Sequence, residues 1–255
     1  MSQAPYLSII IPSYNEMKNI QRGVLDEVWG YVKELPYTWE LIMSDDGSSD
    51  QTIQELEKFA QHSPKISILK NIHEGKGPTV QAGMLAAKGE WRLFADFDQS
   101  APLREVSLLL PHTKSYQVVI GSREIAGAKR NREPLHRHVM GKAFNIVVQL
   151  LAIPGILDTQ CGFKLFSAAA TQKIFTNLKV YGKREAIAGA FTGAFDVEAL
   201  YLALKYGYKI KEVPIFWQHN DTDRVSPIKD SLRMIRDILR VRIADIQGKY
   251  NEHAA

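Results

Sequence analysis

Asp96 and Asp98 close an apolar run, Leu93-Phe94-Ala95, within the stretch LFADFDQS from Leu93 to Ser100. Residues i and i+2 of an extended segment share a side, so this spacing predicts two carboxylates together at a strand exit. Such a pair suits a hard divalent cation, Mg²⁺ or Mn²⁺, which keeps few protein ligands and takes its other oxygens from a substrate diphosphate. Gln99 follows at once as a neutral oxygen ligand to the same metal or as a phosphate contact. An isolated Asp-x-Asp also describes a solvated acidic turn, so the surrounding elements decide between the two.

Those elements read as alternating strands and helices. Leu7 to Ile11 is a β-branched run suited to a buried parallel strand, ended by Pro12, and Ser13-Tyr14-Asn15-Glu16 forms the turn into a helix through about Leu35. A second strand over Glu40 to Met43 runs into Ser44-Asp45-Asp46-Gly47-Ser48-Ser49-Asp50, which caps a helix over Gln51 to Gln61. Ile66 to Leu69 is a third strand; His73 to Pro78 follows as a loop, Thr79 to Ala87 as a helix, and Trp91 to Ala95 as a fourth strand. This order predicts an α/β fold with parallel strands. The polar clusters then collect at the carboxyl ends of the strands, where open α/β sheets bind ligands.

At that edge Tyr14 can flank a base, and Asn15 and Glu16 can bond a ribose or base edge. Asp45 and Asp46 can accept from a base N–H or ribose hydroxyls, and Gly75-Lys76-Gly77 offers flexible backbone and a cation for phosphates. Each cluster taken singly also reads as a turn or a helix cap. No G-x-G-x-x-G follows a strand and no G-x-x-x-x-G-K-[ST] occurs, which argues against dinucleotide and P-loop sites.

IIPSYNE, SDDGSSD, HEGKGPTVQAGMLAAKGEW and FADFD, in this order, resemble the nucleotide-sugar half of the inverting family 2 glycosyltransferases. The resemblance implies the GT-A fold, a Rossmann-like, mostly parallel sheet flanked by helices. It also implies Pro12, Tyr14 and Glu16 at the nucleotide, Asp46 at the base, and Asp96 and Asp98 at the metal and diphosphate. The expected donor side comprises Pro12, Tyr14, Asn15, Glu16, Asp45, Asp46, Gly75, Lys76, Asp96 and Phe97.

A strand over Gln117 to Ile120 leads to Gly121-Ser122-Arg123-Glu124, and Arg123, Lys129, Arg130, Arg132 and Arg137 then place five cations within fifteen residues. A solvated loop is one reading of this run. Aromatics for base stacking are missing there, so nucleic acid is not the expected partner. A phosphate-bearing acceptor matches Arg and Lys chemistry directly. Val139 to Ile156 is mostly apolar, either a core helix or an interfacial one.

GSRE, the basic loop, the apolar stretch and DTQCGFKLF resemble the polyprenyl-phosphate sugar transferases, with the dolichyl-phosphate glucosyltransferases nearest and the mannosyltransferases close. FDVE at 195–198 and VPI at 213–215 extend the likeness over nearly the whole chain. The implied partners are a nucleotide sugar, UDP-glucose before GDP-mannose, and a polyprenyl phosphate. Expected acceptor-phosphate contacts are Ser122, Arg123, Arg132, Arg137, Arg224 and Lys229. Arg123 joins Asp96 and Asp98 as a catalytic candidate, and Asp196 and Glu198 are acceptor-side or general-base candidates. Tyr181 to Gly193 departs from the family pattern as a lid or a surface insertion.

The 255 residues, 45% hydrophobic, suit one domain: a donor half to about residue 100, an acceptor half to 225, and a basic helix beyond. The net charge of +4 is too small to select a polyanion partner by itself, and the single Cys161 excludes an internal disulfide. The opening residues carry no signal-like pattern, and no apolar run reaches the roughly 18 residues that cross a bilayer. Ser226 to Ile246 reads as a basic amphipathic helix. The expected location is the cytoplasmic face of a membrane, held peripherally. Two rivals remain at this level: a family 2 transferase with a sugar-hydroxyl acceptor, and a nucleotide-sugar-binding protein without turnover.

Overall fold

A computed structural model describes residues 4–131, 148–149, 153–181, 195–220 and 227–251, with the side chains of 227–234 excepted. The chain begins β1 (Leu7–Ser13), α1 (Met17–Gln21), α2 (Val24–Val32), β2 (Trp39–Asp45), α3 (Thr52–Ala60), β3 (Ile66–Lys70), α4 (Lys76–Ala86) and β4 (Trp91–Ala95). After short helical turns including α5 (Val106–Leu109) come β5 (Val118–Ser122), β6 (Lys129–Asn131), β7 (Phe163–Ser167) and α6 (Ala168–Thr176). The last described elements are α7 (Phe195–Lys205), β8 (Ile210–Pro214), β9 (Phe216–Gln218) and α8 (Pro227–Ile246).

Seven strands form one sheet in the order β3-β2-β1-β4-β7-β5-β8, and β6 and β9 pair separately. The β1, β2, β3 and β4 ladders are parallel, as is β5 with β8; β7 runs antiparallel between β4 and β5. Strand alternation divides the core. Ile10, Ile42 and Phe94 pack beneath α4, α6, α7 and α8, while Ile9, Ile11, Leu41, Met43 and Leu93 face α2, α3 and α5.

Several sequence expectations need correction. Pro12 does not end β1, which continues to Ser13 opposite Asp45; pairing with β4 stops at Ile10↔Phe94, so a missing N–H is tolerated beyond that point. The expected helix to Leu35 is two helices, broken at Gly23 with φ +93°. Gly75-Lys76-Gly77 is not a free loop, because α4 starts at Lys76 with Gly75 as its cap. That helix lies close on β1: a Cβ on Gly83 would meet Ile10 Cγ2 at 2.5 Å. The antiparallel β7 carries FKLFS from the DTQCGFKLF stretch. The Val139 to Ile156 segment lies mostly outside the described residues, but Val148, Ile153 and Ile156 are buried in the core.

Candidate active site

The carboxyl ends of β1, β2 and β4 converge as expected, but Asp96 and Asp98 reach the site on a turn rather than an extended strand. β4 stops at Ala95, and Gln99 N donates to Asp96 O at 3.3 Å across the turn. Asp98 is braced by Ser100, whose N–H and hydroxyl each donate to its carboxylate at 2.9 Å. Asn220 Nδ2 and Arg22 both donate to the Asp98 carbonyl. Burial, followed by the neighbouring Asp96, pushes the Asp98 carboxyl above its ordinary range despite the Ser100 bonds.

Asp96 is anchored from β4's neighbour. Its N–H donates to Gly162 O at 3.0 Å, and its carboxylate lies where a side chain on Gly162 would stand, 2.0 Å from an ideal Cβ to Oδ2. Lys76 Nζ, at the start of α4, approaches Asp96 Oδ1 to 2.6 Å as an ion pair, yet that buried oxygen has no well-formed hydrogen bond. Burial works against a charge on Lys76, but Asp96, Asp196 and Asp98 outweigh it and hold the ammonium above its ordinary range. Behind this pair, Lys164 of β7 is 1% exposed and sits 2.6 Å from Asp196 Oδ1.

These features test the metal expectation. Among the described residues no group of three or more His, Cys, Asp or Glu side chains could hold a metal alone. Two adjacent carboxylates, whose mutual repulsion helps raise the Asp98 carboxyl, fit a cation that completes its shell with substrate oxygens. Gln99 does not fit as a third ligand. Its amide donates to Asp96 O at 2.9 Å and its carbonyl accepts from Leu103 N at 3.2 Å, which binds the side chain into the turn.

On the donor side, the Tyr14 ring stacks on His73 with centroids 4.1 Å apart and planes 2° from parallel. Asp46 accepts from Glu74 N and Gly75 N and pairs with His73 Nδ1 at 2.8 Å, fixing the turn into α4. Asp45 does not face a ligand: its oxygens accept from Ser13 Oγ, Ser48 N and Ser48 Oγ. Asn15, at φ +52°, accepts from Ser49 N and ties the two loops together. Glu16 accepts from Asn19 Nδ2 at 2.5 Å and its N–H donates to Thr52 Oγ1 at 2.8 Å, so it organises the start of α1. Phe97 is 3% exposed and packs in the core, and Pro12 is buried in β1.

The acceptor-side candidates divide more sharply. Ser122 ends β5 fully buried. Arg123 grips Asp158 with Nε and Nη2 at 2.8 and 2.9 Å and with its backbone N–H at 2.8 Å, and it lies over Trp217. The guanidinium fork that was expected at the reacting phosphate therefore braces the β5 exit. Glu198 is corrected as a base as well. It accepts from Lys179, Val180 and Tyr181 N–H groups and from the Tyr250 hydroxyl, occupying its lone pairs. Arg132, Arg137, Arg224 and residues 182–193 lie outside the described residues, as does the side chain of Lys229.

The Arg123–Asp158 clamp has a measurable acid dependence. Burial opposes ionisation of Asp158, but Arg123 prevails and holds the carboxyl below its ordinary range. A depressed carboxyl stabilises the fold above its unfolded pKa and loses that contribution as pH falls through the folded one. Arg123→Met should therefore cost about 3 kcal/mol at pH 7, with the deficit shrinking as pH falls below about 4. Urea denaturation at both pH values checks this; a deficit unchanged by acid would contradict it.

Comparison with known proteins places this geometry. The family model described as Glycosyl transferase family 2 matches residues 8–175. The dolichyl-phosphate beta-glucosyltransferase of Dictyostelium discoideum is 32% identical over 258 residues, spanning 95% of this chain and 76% of that one. The enzyme of the same name from Saccharomyces cerevisiae is 32% identical over 268 residues, 97% of this chain and 77% of its own. Among solved structures, glucosyl-3-phosphoglycerate synthase from Mycobacterium tuberculosis, in complex with Mn²⁺, UDP and glucosyl-3-phosphoglycerate, aligns with a TM-score of 0.58. At 18% identity, covering 93–94% of this chain and about four-fifths of the synthase in two complexes, that likeness carries the fold alone.

Proposed function

This chain belongs to glycosyl transferase family 2, and we propose that it moves glucose from UDP-glucose to the phosphate of a dolichyl-type polyprenyl phosphate. The observation that carries the reading is the Asp96–Asp98 carboxylate pair, with Lys76 against it, at the carboxyl end of β4. The names of two relatives that match along most of their length supply the sugar and the acceptor class.

Asp96 and Asp98 would hold Mg²⁺ or Mn²⁺, which when bound supplies charge neutralisation for a departing diphosphate. Lys76 adds a cation at the same place. Tyr14 with His73 offers an aromatic platform for the base, while Asp46 orders the turn beneath it. The acceptor phosphate is already anionic, its second ionisation lying near pH ~6, so it needs no proton removed. The site supports that economy: Glu198 is occupied by backbone N–H groups and Asp196 is held by Lys164. A sugar hydroxyl would need a base. Attack opposite the diphosphate inverts the anomeric carbon and gives a β-linked product from an α-linked donor.

Arg132, Arg137, Arg224 and Lys229 are the acceptor-phosphate contacts in this reading, while Ser122, fully buried, is not one. The lipid would approach along a membrane surface. No helix among the described residues is long and apolar enough to cross one. α8 buries Ile238, Val241 and Ala244 and exposes Leu239, Ile243 and Ile246 beside Arg236 and Arg240. That face suits peripheral attachment to an anionic cytoplasmic leaflet. Flotation with phosphatidylserine vesicles checks it: binding should fall at least about fivefold in Leu239→Asp/Ile243→Asp, and unchanged flotation would count against it.

The donor and acceptor are tested together by offering UDP-glucose or GDP-mannose with either a short polyprenyl phosphate or the free polyprenol. Product only from UDP-glucose and the phosphate supports the reading. Transfer to the polyprenol or to a sugar hydroxyl would replace the acceptor, and transfer from GDP-mannose would replace the donor.

A further inference from the structure

Lys164 is the second residue of β7 with 1% of its side chain exposed, an unusual place for an ammonium group unless it is paired. Its Nζ is 2.6 Å from Asp196 Oδ1 and donates to the Cys161 carbonyl. Asp196 is also felt by Lys76, whose own nearest carboxylate is Asp96 at 2.6 Å. Four groups of alternating sign thus follow one another: Lys164, Asp196, Lys76 and Asp96. The Phe94 ring lies beside both lysines, 6.0 Å from Lys164 Nζ and 5.3 Å from Lys76 Nζ.

The spacing of this row is held by backbone packing. A Cβ on Gly77 would stand 2.9 Å from Tyr181 O and 3.1 Å from Phe195 Cβ, so the first turn of α4 is seated tightly against the start of α7. Lys76 thus touches Asp96, while its Nζ lies 6.0 Å from the ring of Phe195, the residue next to Asp196. Which of the two carboxylates it serves depends on whether Asp196 already has a cation.

We infer that Lys164 is a positioning residue: by engaging Asp196 it leaves Lys76 to Asp96, where the donor's diphosphate is expected. Without Lys164, Asp196 is a buried carboxylate whose remaining neighbouring cation among the described residues is Lys76, and the lysine turns away from the diphosphate to satisfy it. The use of UDP as a probe rests on the donor reading above; the placement of Lys76 does not.

The ligand-free crystal structure of Lys164→Met is the direct test. Lys76 Nζ is expected within hydrogen-bond distance of Asp196 and away from Asp96; a retained Lys76–Asp96 contact would overturn the inference. Calorimetric titration with UDP and Mn²⁺ then follows a double-mutant cycle. Lys164→Met should weaken UDP about tenfold, and Lys164→Met/Asp196→Asn, which removes the competing carboxylate, should return to within about threefold of the parent. A purely structural role for Lys164 predicts additive losses instead, and a double variant no better than the single would overturn the proposal. Lys164→Gln, which can still donate to the Cys161 carbonyl, replaces the methionine variant if that one does not fold. Absence of UDP binding by the parent would contradict the donor reading, while the crystal structure would still decide the position of Lys76.

Discussion

Asp96→Ala is expected to lower glucose transfer at least about 1,000-fold while leaving the fold intact. Asp96 contributes little to packing: its side chain is 33% exposed, and its ionic contact is to Lys76 alone among the described residues. What the carboxylate does supply is half of the anionic pair that a cation would bridge to the diphosphate. Removing it also takes away the carboxylate that Lys76 Nζ meets at 2.6 Å, so the ammonium loses the partner that aligns it. Steady-state transfer rates at saturating Mn²⁺ check the first effect. Mn²⁺ titration of UDP binding checks the second, since the variant should show no more affinity with the metal than without it. A loss below about tenfold in rate would show that the pair is peripheral to the chemistry.

The second large effect comes from a residue with no functional group. Gly162→Ala is expected to reduce the rate about 100-fold or more with a stability change within about 1 kcal/mol. The added Cβ would stand 2.0 Å from Asp96 Oδ2 and 2.2 Å from Cγ, so the carboxylate must swing aside. The fold tolerates this because the obstructed group is the end of a side chain partly open to solvent, tied only to the flexible Lys76. The chemistry does not, because a carboxylate displaced by an ångström no longer meets its partner on Asp98. Thermal melting together with the transfer rate separates the two consequences. A variant that loses stability and activity in proportion would make Gly162 a packing residue only.

The parts of this protein legible in its sequence are those set by local pattern. LSIII, ELIM, ISIL and WRLFA each read as a strand from β-branched and aromatic runs, and each is one, with ISIL half-exposed at the sheet edge. Asp96 and Asp98 were legible as a pair because only two positions separate them. What was not legible is which polar atoms the protein occupies with its own groups. Asp45, Gln99, Arg123 and Glu198 all carry suitable chemistry, yet each is engaged by partners that folding brings alongside, from Ser48 only three residues away to Tyr250, 52 residues from Glu198. Lys76 was identified but assigned to a loop, because Pro78 and two glycines hide a helix start that tolerates proline in its first turn. Gly162 and Lys164 received no role, although a lysine inside the apolar run of CGFKLF was a signal of a buried ion pair.

The most direct test of the account is one product. Purified protein, UDP-glucose, Mn²⁺ and a short polyprenyl phosphate are incubated with wild type and with Asp98→Ala, and the organic phase is analysed by mass and anomeric linkage. The account predicts a β-linked glucosyl phosphate lipid from the wild type and at least about 1,000-fold less from the variant. Free glucose without lipid product, or a lipid product that survives Asp98→Ala unchanged, would contradict it.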